Sequence, residues 1–152
     1  MLVLIVHYHL RCGGVTRVIE SQVTALKEQG HQVIVASSGP KVDWAREHLI
    51  VPELDYCLDS DLSGRDLLKL IPVNPDLWII HNPTLAKNAL FPDFINTLAG
   101  QKARVLLQCH DFAEDGRPAN YQRLANTAHL YPLAENIHYA FVNKRDQASL
   151  IE

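Results

Sequence analysis

Apolar residues along this chain fall into two patterns, short unbroken runs and helical stripes. Leu2-Val3-Leu4-Ile5-Val6 is an unbroken run that leads towards Cys12-Gly13-Gly14. A run this short, ending at a glycine turn, fits a strand covered on both faces, as in parallel sheets. Beyond the turn, Val15, Val18, Ile19, Val23 and Leu26 recur at offsets 0, 3, 4, 8 and 11, with Arg17, Glu20, Ser21, Thr24 and Lys27 between them. That is the stripe of an amphipathic helix. Gly30 stands where a helix ends in a left-handed residue. Val33-Ile34-Val35-Ala36 then reads as a second strand, running into Ser37-Ser38-Gly39-Pro40. Strand, glycine turn, helix and strand make a βαβ unit, whose crossover is right-handed in nearly every known case.

The alternation continues to the last residue. The pattern predicts a short helix over 44–50 and a short strand over 54–57. Ser63, with Asp66 three residues on, predicts a capped helix whose apolar face is Leu67, Leu68, Leu70 and Ile71, stopped by Pro72. Asn74-Pro75-Asp76 is turn chemistry ahead of a strand, Leu77-Trp78-Ile79-Ile80, that ends at His81. Phe91, Phe94, Ile95 and Leu98 mark a helix closing near Gly100, and Val105-Leu106-Leu107 a strand ending at Gln108-Cys109-His110-Asp111. The polar stretch 112–120, with Gly116 and Pro118, reads as a loop. A helix over 121–128, a strand over 139–142 and a helix from Lys144 complete the series. Repeated βα units with apolar strands predict an α/β fold: a Rossmann-like, doubly wound parallel sheet in three layers, α/β/α. No fixed-period repeat, low-complexity segment or linker divides residues 1–152, which read as one domain.

Composition narrows the function. Hydrophobic residues are 47% and charged residues 20% of the 152, an ordinary globular balance that rules out a disordered or collagen-like chain. The formal net charge of -3 argues against a nucleic-acid partner, which calls for a basic excess. Cys12, Cys57 and Cys109 form no CxxC pair and are odd in number, so a reducing, cytoplasmic compartment is expected. The apolar start is too short and lacks the flanks of a signal peptide, and no run reaches the length of a membrane span.

Ligands of open α/β sheets bind beyond the carboxyl ends of the strands. Here those ends carry 7–14, 37–40, His81-Asn82-Pro83, His110-Asp111-Phe112 and Asn143. Gly13-Gly14, between a strand and a helix N-terminus, would let a diphosphate or carboxylate approach free amides; a tight turn alone explains the pair equally well. The dinucleotide fingerprint is not met. Arg17 stands where its third glycine would fall, Ser37-Ser38 where its ribose-binding acid would sit, and the phosphate-loop motif is absent too. His7 and His9 read as polar residues leaving the sheet rather than metal ligands, and no metal is expected. His110-Asp111 is sharper, because a histidine there could hydrogen-bond a sugar hydroxyl or organise a transition state. His81 follows its strand in the same way.

Arg11-Cys12-Gly13-Gly14-Val15-Thr16-Arg17-Val18, followed by Leu26-Lys27-Glu28-Gln29-Gly30-His31-Gln32-Val33, resembles the start of GT-B fold glycosyltransferases of the glycogen-synthase-like, retaining type, family 4. Pro75-Asp76-Leu77-Trp78-Ile79-Ile80-His81-Asn82 is similar to that family's Pro-Asp-strand-His-Asn segment, and Val105 to Asp111 to its strand ending in His-Asp. Phe141-Val142-Asn143 resembles its next strand end, where Ser is commoner than Asn143. Such enzymes have two Rossmann-like domains with the active site between them. The resemblance implies that residues 1–152 are the N-terminal, acceptor-side domain and that a C-terminal domain, its partner, binds the nucleotide-sugar donor. The 152 residues end inside a helical pattern, before any such domain, so the isolated chain is expected to be inactive. It further implies that His110 is catalytic and that Gly13, Gly14, Arg17, His81 and Asp111 bind substrate. No cofactor beyond the nucleotide-sugar substrate is implied, the acceptor would be a glycan or lipid-linked, and peripheral contact with the inner face of a membrane follows from a lipid-linked acceptor. Two alternatives share the architecture. A sugar-nucleotide 2-epimerase would need cleft carboxylates. A free-standing flavodoxin-like or receiver module is a weaker match, because His7-Tyr8-His9 and His110-Asp111 do not supply a receiver's acidic residues and lysine.

Overall fold

The computed structural model describes residues 1–125 and 130–151. Six strands form one sheet: β1 (Leu2–Val6), β2 (Gln32–Ser37), β3 (His48–Ile50), β4 (Leu77–His81), β5 (Val105–Cys109) and β6 (Ile137–Phe141). Their order is β3-β2-β1-β4-β5-β6, and every adjacent pair is parallel. The helices are α1 (Gly14–Glu28), α2 (Gly64–Lys69), α3 (Phe91–Gly100), α4 (Ala113–Gly116), α5 (Pro118–Ala125) and α6 (Lys144–Ile151). This is the doubly wound Rossmann-like sheet that the apolar runs predict.

Strand β1 shows why its sequence has no polar alternation. Val3 and Ile5 face a core completed by Ile19 and Val23 of α1. Leu4 and Val6 face the other core, with Leu67 of α2 and Phe91, Phe94 and Leu98 of α3. Both faces are covered, so every position from Val3 to Val6 is fully buried, and each such side chain contributes roughly 1.5–3 kcal/mol of burial. The stripe on α1 is narrower than its sequence suggests. Val18 points outward, while Thr16 is buried with its hydroxyl donating to the Arg11 carbonyl at 2.6 Å. Gly30, at φ +80°, closes α1 as expected: its N–H donates to the Lys27 carbonyl (2.9 Å) and that of His31 to the Leu26 carbonyl (3.0 Å).

The Pro-Asp segment before β4 has a structural use. The Asp76 carboxylate accepts from the Leu2 N–H at 2.7 Å, and the Asp76 N–H donates to the Leu2 carbonyl at 2.9 Å. The two central strands are thereby pinned at the sheet edge opposite His81.

Three local expectations are corrected. Residues 44–50 are no helix: His48–Ile50 is an edge strand, paired Val35↔His48 to Ser37↔Ile50. The ladder to β2, with the Ser37 hydroxyl on His48 Nε2 at 2.8 Å, outweighs a weak helical stripe. Residues 54–57 are no strand. Pro52–Leu54 is a 3₁₀ turn that drops Leu54 into the core, and Cys57 makes a single parallel bridge to Asn88. Residues 112–120 are not a plain loop. Gly116 ends α4 and Pro118 begins α5, where a missing N–H costs nothing, so the two supposed breakers are one helix's end and the next one's start. The helix predicted over 121–128 begins earlier, and its residues 126–128 lie outside the described ones. The last strand is shifted, covering Ile137–Phe141.

Candidate functional site

The strand order reverses direction between β1 and β4, on either side of which the chain winds outward. At such a switch point the loops leaving the two central strands part and open a crevice at the carboxyl edge. His7 follows β1, His81 closes β4 and His110 follows β5, so three histidines stand at or beside this crevice. Gly13 and Gly14 lead into α1 from the same edge.

The histidines are joined. His81 is fully buried, and its Nδ1 lies 3.0 Å from Nε2 of His110, the two rings stacked at 5.3 Å. Its Nε2 lies 3.0 Å from Oε1 of Gln22 on α1, and Nε2 of Gln22 donates to Oε1 of Gln108 on β5 at 3.1 Å. His7 turns its Nδ1 to the His81 carbonyl at 3.3 Å. Burial is the main reason all three rings are poor bases: it lowers His7 to about 4 and His81 to about 3, and moves His110 down as well. The cluster is therefore neutral at pH 7.

Asn82 fixes where His110 stands. Its backbone is left-handed, φ 51°, a conformation asparagine tolerates better than most residues. Its side-chain oxygen accepts from the His110 N–H at 2.7 Å and the Asp111 N–H at 3.3 Å. Its own N–H donates to the Gln108 carbonyl at 2.9 Å, and its carbonyl accepts from the Tyr8 hydroxyl at 2.8 Å. Tyr8 is in turn stacked on Phe91 at 4.6 Å between ring centres. The turn carrying His110 and Asp111 is thus tied to β1, β4 and α3.

His110 and Asp111, with Phe112, Asp115, Arg117, Asn143 and Asp146, line a cavity of about 320 Å³ on this rim. The Asn143 side chain accepts from the Asp146 N–H at 2.9 Å, capping α6 as a serine would. A larger hollow of about 560 Å³, bounded by Pro75, Trp78 and Arg104, belongs to the opposite edge of the sheet, away from the histidines.

The site residues expected from sequence are partly gathered here. His110 and Asp111 reach the cavity. His81 lies one hydrogen bond behind His110, with both ring nitrogens engaged. Gly13 and Gly14 are at the edge with no atom crowding a would-be Cβ closer than 3.9 Å, so nothing inside the domain requires glycine there. α1 has no side-chain cap and no acidic residue in its first turn. Arg17 turns to solvent and pairs with Glu20 at 2.9 Å. His9 leaves the sheet as expected and meets the Tyr56 hydroxyl at 2.9 Å, which also receives Lys87 Nζ at 2.7 Å. Burial pushes the Cys109 thiol up to about 11, which suits a structural thiol. Among the described residues, no three His, Cys, Asp or Glu side chains gather as metal ligands, and no helix is long and apolar enough to cross a membrane.

Sequence reasoning passed over Gln22 and named Asn82 only as part of a strand end, with no role of its own. Gln22 sits seven residues after Val15, in phase with the apolar stripe; a polar residue there was the available signal. For Asn82 the signal was an Asn-Pro pair directly after a strand.

The chain is 28% identical to mannosylglucosyl-3-phosphoglycerate synthase of Petrotoga mobilis (strain DSM 10674 / SJ95), over 170 aligned positions that cover 97% of the chain. It is a distant relative of a glycosyltransferase. The chain spans 34% of that relative's length. No family model matches the chain, and no solved structure matches it.

Proposed function

We propose that this domain is the acceptor-side half of a retaining, metal-independent GT-B glycosyltransferase of the glycogen-synthase-like family, taking its sugar from a nucleotide-sugar donor. The observation that carries the reading is His110, held by His81 and Asn82 on the carboxyl rim beside the sheet's switch point. A second Rossmann-like domain would close over that rim and bring the nucleotide. The Gly13 and Gly14 amides, at the uncapped and dipole-positive start of α1, would face the donor diphosphate as it leaves. His110 would hydrogen-bond a hydroxyl of the transferred sugar near the reacting carbon, with Asp111 beside it. Arg17, already paired with Glu20, would have to swing round to take part.

The similar synthase is named for a phosphoglycerate-linked product. That favours a small anionic glycoside as acceptor here over the glycan or lipid-linked acceptor that family resemblance suggests. Arg117, which lines the His110 cavity, is the nearest cation to meet such an acceptor, while Arg11, paired with Asp55, and Lys87, bonded to the Tyr56 hydroxyl, would have to exchange partners first.

The test is made in the protein carrying both domains. His110→Ala should lower sugar transfer by about 10²-fold or more while the domain stays folded, destabilised by no more than the about 1–3 kcal/mol that unpairing His81 costs. Near-normal transfer would remove His110 from the mechanism. Release of a free epimerised sugar in place of a transferred one would favour the 2-epimerase instead.

A further inference from the structure

We infer that Gln22, acting through His81, is a positioning residue that locks His110 in the tautomer with its proton on Nε2, leaving Nδ1 as a bare acceptor for a substrate hydroxyl. The inference rests on the role proposed for His110 and adds what sets its hydrogen-bonding sense.

The chain of bonds has a direction. Nε2 of Gln22 donates to Oε1 of Gln108 at 3.1 Å, and in this orientation Gln22 faces His81 with its carbonyl oxygen. A carbonyl oxygen only accepts, and Nε2 of His81 must therefore carry that ring's proton. A neutral imidazole holds one N–H, so Nδ1 of His81 is an acceptor. Its neighbour at 3.0 Å, Nε2 of His110, must then donate. The lone pair left over is on Nδ1 of His110, the end of a relay that runs Gln108, Gln22, His81, His110. Burial of both rings keeps them neutral, which the argument requires. Among the described residues no hydrogen-bond partner occupies that last nitrogen.

A free histidine exchanges its tautomers readily, and in the wrong one His110 would offer a donor where the sugar hydroxyl needs an acceptor. Control of tautomer by a hydrogen-bonded partner is a recognised means of fixing a catalytic imidazole. Here the partner is an amide on the opposite layer of the fold. Gln22 comes from α1 and His110 from the turn after β5, so the lock also couples the first helix to the reacting rim.

Nitrogen NMR of the histidine rings in the 152-residue chain tests this without any substrate. At neutral pH, His81 and His110 should both carry their proton on Nε2. Gln22→Leu should turn His110 into a mixture of tautomers. Gln108→Leu, which releases the Gln22 amide to turn either way, should mix the His110 tautomers too. An Nδ1–H form of His110 in the unaltered chain, or unchanged tautomers in Gln22→Leu, would overturn the inference. In the two-domain protein, kcat/KM for the donor should fall at least about tenfold in Gln22→Leu. Undiminished transfer by His110→Ala would instead sink the role of His110 while leaving the ring tautomers as found.

Discussion

Asn82 concentrates more structural consequence than any other polar residue on the rim. It is 2% exposed, left-handed, and its side chain is the acceptor for two successive N–H groups. Asn82→Gly keeps the backbone conformation and loses the acceptor, at a cost of about 1–3 kcal/mol. Asn82→Ala should cost more, since alanine also resists positive φ. Urea denaturation of the three proteins reads this order directly, and equal stability of the two variants would contradict the strain argument. The buried histidines make a second prediction. Unfolded, His7 and His81 titrate near 6.5; folded, burial lowers them to about 4 and about 3. As pH falls the unfolded chain takes up these protons first, so stability is full above about 6.5 and drains away towards the folded values. Each ring contributes up to about 1.4 kcal/mol per pH unit inside that window, and urea midpoints measured across it should fall steadily. His81 and His110 were legible as polar residues ending apolar strands. Their contact with each other and with Gln22 was not, because it depends on which strands become neighbours.

Helix α2 is short but firmly specified. Ser63 and Asp66 form a full capping box, the feature their spacing predicts. Next to them, Gly64 lies so close to α3 that a Cβ there would overlap backbone atoms of Asp93 and Phe94, and its N–H donates to the Asp93 carboxylate. Ser63→Ala should cost about 1 kcal/mol. Gly64→Ala should cost more, about 1–3 kcal/mol, because the helices must part. Thermal unfolding ranks the pair, and a harmless Gly64→Ala would mean that α2 can shift freely. The capping box was readable because it is local. The need for glycine was not, since the clash comes from a helix nearly thirty residues away. The same limit explains β3 and α4, whose short stretches carry too few apolar positions to fix a period, so hydrogen bonding to β2 and burial of Phe112 and Ala113 decide them.

At the scale of the molecule, strand type and parallel pairing followed from unbroken apolar runs, and the polar ends of those runs gave the rim. Strand order did not follow from them. It is set by which helix covers which face. Alternate side chains of β1 feed two different cores, and these must be closed from both sides. The order β3-β2-β1-β4-β5-β6 also has a bearing on biosynthesis. Of the six strands, the first to be synthesised is a central one. β2 can join it early, but its other flank stays bare until the register Val3↔Leu77 can form, some seventy residues later. Nascent chains halted before Leu77 should be digested readily by protease, and those extending past Cys109 should resist. Until then Leu2–Val6 is a bare apolar strand edge, open to pairing with another chain.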